Sequence, residues 1–149
     1  MSPTDVTLRR AGVEDAAAVT RVHLASRRAA PMPPGVHGDR EVEAWLTTRL
    51  TQDEVWVAEA DDTVVAYARL TDTWLDDLYV LPEHAGRGIG SMLLDLAKAL
   101  RPDGFSLWVF ESNTAARAFY ARHGLVEREH TDGSDNEEKA PDLRMSWAE

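Results

Sequence analysis

The sequence predicts an α/β protein, one mixed and mostly antiparallel twisted sheet with helices on both faces. Three observations predict it. Apolar residues alternate with period two in seven stretches, and recur at helical spacing in four others. Two of the helical stretches also lie between strands, which makes two strand–helix–strand units. A chain of 149 residues reads as a single domain spanning 1–149, able to bury roughly 70% of its unfolded surface.

The elements follow in order. In "VTLRRA", Val6 and Leu8 fall on one side and give a first strand. Residues 14–30 are alanine-rich, with Val19, Val22 and Ser26 along one helical face. The run "PMPPGVHG" ends that helix, since proline cannot donate to it and glycine favours turns. Asp39 is placed to cap the next helix, whose apolar face is Val42, Trp45, Leu46 and Leu50. From residue 54 the period becomes two: "EVWVAEADDTVVAYARL" is a hairpin turning near Asp61–Asp62, and "WLDDLYV" is the next strand. Ile89, Met92, Leu93, Leu96 and Leu100 then repeat at helical spacing up to Pro102. "FSLWVF" is a strand, and "NTAARAFYARHG" a helix opened by Asn113 and closed by Gly124. "LVEREH" and "DLRMSW" close the sheet as an antiparallel pair around "TDGSDNEEKA". The order is β-α-α-β-β-β-α-β-α-β-β.

Composition narrows the chemistry. The chain has no cysteine, which removes disulfides, thiolate metal sites and an enzyme thioester. Its five histidines (His23, His37, His84, His123, His130) form no metal-binding spacing, so no metal is expected. A net charge of −10 argues against nucleic acid and favours a cationic partner. No apolar run approaches the ~20 residues of a membrane span. "MSPTDVTLRR" lacks the apolar core of a signal peptide, so a cytoplasmic protein is expected.

"LPEHAGRGIGSMLL" is a strand end, a glycine-rich turn and a helix start. Amides at such a helix N-terminus point outward and carry about half a positive charge, which suits an anion. Gly86, Gly88 and Gly90 let a diphosphate approach them; a tight connection without ligand is the plainer reading. The lysine of a P-loop is missing, and Ser91 stands where a dinucleotide fingerprint has its third glycine.

"LYVLPEHAGRGIGSMLL" together with "ESNTAARAFYARHGL" resembles the two central motifs of the GCN5-related N-acetyltransferases, the GNAT superfamily. Gly88 and Gly90 fill the glycine positions, and Asn113, Ala116, Phe119, Tyr120 and Gly124 those of the second motif. The resemblance implies an acetyl-CoA-dependent N-acetyltransferase acting on a small-molecule or peptide amine, without a covalent acyl-enzyme. It also implies a diphosphate held by the amides of Ala85, Gly86, Arg87, Gly88, Ile89, Gly90 and Ser91. Pantetheine would run beside Leu78, Tyr79 and Val80, with the Leu78 amide toward the thioester carbonyl, and Asn113, Ala116 and Tyr120 would complete the site. Two alternatives keep the fold: another acyl-CoA or acceptor, or a non-catalytic CoA-binding sensor.

Acetylating an amine of pKa about 10.4 at pH 7 starts with a deprotonation worth about 4.6 kcal/mol, and the departing thiolate needs a proton. Tyr120 matches the family tyrosine that serves the sulfur. The base position departs from the pattern, because Trp74 and Trp108 stand where relatives carry acids. By alternation both indoles should face the acceptor cleft as an aromatic wall. Asp76 should share the face of Trp74 and act as base through water, while Asp77 points away. Ala85 replaces a glutamine or arginine of the consensus. His37, in the loop between the first two helices, borders the acceptor cleft in relatives. The last hairpin loop, with Asp132, Asp135, Glu137 and Glu138, reaches toward acceptor or dimer partner there, which leaves a homodimer open.

Overall fold

The computed structural model describes residues 5–148; the first four residues of the amino-terminal stretch read above lie outside the described residues. The elements are β1 (Val6–Arg10), α1 (Ala16–Ala29), α2 (Asp39–Gln52), β2 (Glu54–Ala60), β3 (Thr63–Thr71), β4 (Trp74–Val80) and α3 (Ile89–Leu100). β5 (Phe105–Phe110), α4 (Thr114–Arg122), β6 (Val126–Thr131) and β7 (Asp142–Trp147) complete them. This is the order expected from the sequence. Among the described residues no helix is long and apolar enough to cross a membrane.

The seven strands form one sheet in the order β1-β2-β3-β4-β5-β7-β6. Neighbours are antiparallel except β4 and β5, which run parallel. Asp61 and Asp62 both take positive φ (53° and 61°), the left-handed pair that a two-residue hairpin turn between β2 and β3 requires. β3 is buried at successive positions from Val64 to Leu70, so both faces of the sheet are covered there. Tyr79 and Val80 show which helices do so. Tyr79 meets His23 of α1 edge-on, with centroids 5.1 Å apart, whereas Val80 lies against Gly90 of α3.

Local details differ from the sequence reading in two helices. Gly38, not Asp39, is the N-cap of α2; Asp39 is the first helical residue and pairs with Arg28 at 2.6 Å. Leu46 and Leu50 are buried as expected, but Trp45 is 44% exposed. Its ring lies instead under the Arg69 guanidinium, 4.8 Å from the centroid, a contact worth about 0.5–2 kcal/mol. In α3 the fully buried stripe is Ile89, Leu93, Leu94 and Ala97, with Met92, Leu96 and Leu100 half-buried at its edges.

The decisive feature is in β4. Its pairing with β3 runs from Val80 opposite Ala66 to Asp77 opposite Arg69, then jumps to Leu75 opposite Leu70. Asp76 is therefore an extra residue, a β-bulge, which bends the strand and breaks its alternation. Trp74 and Asp77 consequently share a face, the reverse of the expected arrangement. Registered pairing of β4 with β5 is confined to Trp74 opposite Ser106. Beyond it the two strands part, and the sheet opens.

Candidate active site

The opening between β4 and β5 is a cavity of about 350 Å³. Residues 75–80 of β4 form one wall and 107–110 of β5 the other, with Asn113, Ala116 and Tyr120 of α4 alongside. Leu78, Tyr79 and Val80 line this wall. The Ser26 hydroxyl donates to the Val80 carbonyl at 2.7 Å, so α1 holds the far end of that wall.

The glycine turn lies where β4 leads into α3. Gly86 and Gly88 have φ of +78° and +83°, and a Cβ at either would meet nothing within 4 Å. Left-handed backbone favours glycine here, and the missing side chains leave open space. Gly90 serves differently: the Phe119 ring of α4 comes to 3.4 Å of where its Cβ would be. The first intrahelical bond of α3 runs from the Met92 amide to the Gly88 carbonyl at 3.0 Å. The amides of Ile89, Gly90 and Ser91 precede it and, like the first donors of any helix, have no intrahelical partner. Together with an open glycine turn, they fit a diphosphate. The Ser91 hydroxyl meets His123 Nε2 at 3.0 Å.

Tyr120 lines the opening from α4. Burial, then the nearby Tyr79 and Asp77, push its pKa up, so the phenol keeps its proton across the physiological range. Asn113 caps α4, its side-chain oxygen accepting from the Ala116 amide at 3.3 Å, and lines the same opening.

A second cavity, of about 540 Å³, lies between α1, α2 and the loop joining β6 to β7. Its apolar side is Val36, Val42 and Trp45; Glu41, Glu137 and Glu138 supply negative charge. His37 bridges the loops, bonding Glu41 at 2.9 Å and Glu137 at 3.0 Å. Three residues, Arg27, Asp77 and Tyr79, line both cavities and mark where they meet. Arg27 reaches the Tyr79 hydroxyl and Glu138, each at 3.3 Å. Burial, then the Asp77 charge, push the Tyr79 hydroxyl up to about 12.

Asp77 is 8% exposed and anchored. Its Oδ2 accepts from Tyr67 Oη at 3.0 Å and from Arg69 Nε at 2.9 Å, while Arg69 also pairs with Asp53 at 2.9 Å. Asp76 lies on the bulge, exposed, bonded to the Thr71 hydroxyl. Desolvation leads in raising its carboxyl; the Thr71 bond and Arg69 oppose this, and Asp77 and Asp53 add to it. It lines the first cavity and not the second.

The two tryptophans do not wall the second cavity. Trp74 and Trp108 stack on each other, with centroids 6.3 Å apart, and Trp108 borders the first opening. The aromatic surface of the second cavity is Trp45 and Tyr79. Sequence reasoning assigned Trp45 to the core, turned Asp77 away from the face of Trp74 and gave His23 no role. No local signal marked the bulge at Asp76, which exists only in the pairing of β4 with β3.

A mixed sheet parted between two parallel strands, with an open glycine turn at a helix N-terminus beside the gap, defines an acyl-CoA N-acyltransferase fold. The chain belongs to the acetyltransferase (GNAT) family, whose pattern it matches over residues 21–125. The peptidyl-lysine N-acetyltransferase YjaB of Salmonella typhimurium is 37% identical over 86 residues, covering 57% of this chain and 59% of that protein. The match therefore spans less than two thirds of that relative. An uncharacterized N-acetyltransferase of Archaeoglobus fulgidus is 35% identical over 108 residues, 62% of this chain and 72% of its own. Among solved structures, PaiA N-acetyltransferase from Thermoplasma acidophilum in complex with coenzyme A superimposes with TM-score 0.75 at 22% identity, over 99% of both chains. Apo YjaB of Escherichia coli gives 0.78 at 23% identity, over 95% of this chain and 97% of that one. These likenesses show the fold.

Proposed function

We propose that the protein is an acetyl-CoA-dependent N-acetyltransferase that acetylates a primary amine of the lysine type directly, in the cytoplasm. One observation carries this reading: two cavities of different character meet at Asp77 and Tyr79. The opening between β4 and β5 suits an extended thioester arm whose diphosphate rests on residues 85–91. The second cavity suits a cationic amine, with acids to attract it and apolar residues to cover an aliphatic stem. The name of the Salmonella relative supports lysine as the acceptor.

In this reading the arm lies along Leu78–Val80 with the Leu78 amide toward the thioester oxygen, the kind of donor a tetrahedral oxyanion requires. Tyr120, kept protonated by its surroundings, serves the departing sulfur. Asp76 belongs to the donor side, and His37 to the acceptor mouth.

Release of coenzyme A thiol from acetyl-CoA, measured against lysine peptides, polyamines, aminoglycosides and free amino acids, tests the proposal. Turnover with lysine peptides is expected. Tight CoA binding without acetylation of any amine would favour a sensor instead, and faster turnover with a longer acyl-CoA would change the donor.

A further inference from the structure

His23 on α1 lines the second cavity and is wired to the carboxylate at the junction. Its Nδ1 lies 2.8 Å from the Tyr67 oxygen, which in turn donates to Asp77 Oδ2 at 3.0 Å. Tyr67 is fully buried, and burial together with the Asp77 charge pushes its pKa well up, so it keeps its single proton. Asp77 Oδ2 can only accept, and it takes that proton's hydrogen bond together with Arg69 Nε. The Tyr67 oxygen must then accept from His23, which puts the imidazole proton on Nδ1. A neutral imidazole has one such proton, so Nε2 carries a lone pair. Nε2 has no protein partner among the described residues.

We propose that His23 is the base that takes the first proton from the acceptor ammonium, with Tyr67 and Asp77 fixing its tautomer and stabilising the imidazolium. The proposal rests on the amine-acetyltransferase reading above. It gives a function to a histidine, a buried tyrosine and a carboxylate that the donor side does not use.

The charges around the ring agree with this role. Burial leads in lowering the His23 pKa, Asp77 opposes it, and Arg27 and Arg69 reinforce it. The ring is therefore neutral near pH 7 and able to accept. Tyr79 packs against its edge, and Glu41, Glu137, Glu138 and His37 line the cavity it faces. Once protonated, His23 has the Asp77 carboxylate two hydrogen bonds away as counter-charge.

The proton balance is complete. An N–H bond of the ammonium breaks, its electron pair stays on nitrogen, and an Nε2–H bond forms. The amine attacks the thioester carbonyl; a C–N bond forms and the C–S bond breaks. The second nitrogen proton ends on sulfur, and the His23 proton passes to water, one per turnover.

The test is the pH profile of kcat/KM on a lysine peptide, for wild type, His23→Gln and Tyr67→Phe, with CoA affinity as control for folding. Wild type is expected to show an acid limb set below the ordinary histidine range. His23→Gln should lose that limb and roughly 100-fold in kcat/KM at neutral pH, with activity returning toward the pKa of the acceptor itself. Tyr67→Phe should move the limb while leaving CoA affinity unchanged. Nitrogen NMR of the wild type should place the His23 proton on Nδ1. A proton found on Nε2 overturns the inference, as does a CoA-binding His23→Gln variant with the wild-type profile. Wild type inactive on every amine overturns the acetyltransferase reading and this inference with it; active wild type beside an unaffected His23→Gln overturns this inference alone.

Discussion

Trp74 and Trp108 lie nearly parallel, 7° between their planes, at the point where β4 and β5 cease to pair. The backbone ladder between these strands is registered only at Trp74 opposite Ser106, and the indole stack extends their association by side chains. An aromatic pair of this kind contributes about 0.5–1.5 kcal/mol beyond the area it buries. Trp108→Ala is expected to cost about 1–2 kcal/mol in chemical denaturation, given that Trp108 is 46% exposed. CoA affinity should fall because the opening is less well defined, whereas KM for the acceptor should hold.

Gly88 combines a left-handed backbone with empty space. Gly88→Asn can keep this backbone, because asparagine tolerates it, and should retain part of the CoA affinity. Gly88→Asp adds a negative charge at the same place and should abolish binding. Calorimetry checks both. In the wild type, CoA at 100 times its dissociation constant should stabilise the fold by about 2.7 kcal/mol, visible as a higher Tm.

Tyr120→Phe removes only a hydroxyl from the wall of the opening. Turnover is expected to fall roughly 10- to 1,000-fold, with CoA affinity nearly unchanged, because the proton matters as the sulfur leaves. Wild-type kcat in a folded Tyr120→Phe variant removes the residue from the chemistry.

Trp45 tests the acceptor cavity. Its ring is half open to solvent and carries Arg69 on one face, so Trp45→Ala should cost about 1 kcal/mol in stability. KM for a lysine peptide should rise several-fold with CoA affinity unchanged. An unaltered KM, measured at saturating acetyl-CoA, would move the acceptor elsewhere.

His37 makes a pH-dependent clasp. Glu137 and then Glu41 raise its pKa, since both ring nitrogens can donate only when the ring is charged. A raised pKa in the folded state gives a contribution fully present below the unfolded value of about 6.5 and lost as pH rises through the folded one. Hydrogen exchange in residues 131–141 should therefore quicken beyond the intrinsic rise as pH climbs through that raised value, and His37→Ala should remove that pH dependence.

Much of this protein is determined by local patterns. Period-two and helical runs fix the eleven elements, Asp61–Asp62 fixes the hairpin, and the cap at Asn113 and the stop at Gly124 fix α4. The glycine turn is equally local, since left-handed backbone at Gly86 and Gly88 depends on the residue itself. Tertiary structure decided the rest of the candidate site. A bulge at Asp76 belongs to no single strand; it arises from the register of β4 against β3, and one extra residue exchanges the faces of every side chain before it. That exchange puts Trp74 on the face of Asp77 and Tyr79. Trp45 left the core because Leu46 and Leu50 already fill it, while Arg69, held by Asp53 and Asp77, offered its indole another partner. The His23–Tyr67–Asp77 chain joins residues 44 and 10 positions apart, and only the packing of α1 on the sheet brings their polar atoms within hydrogen-bond reach.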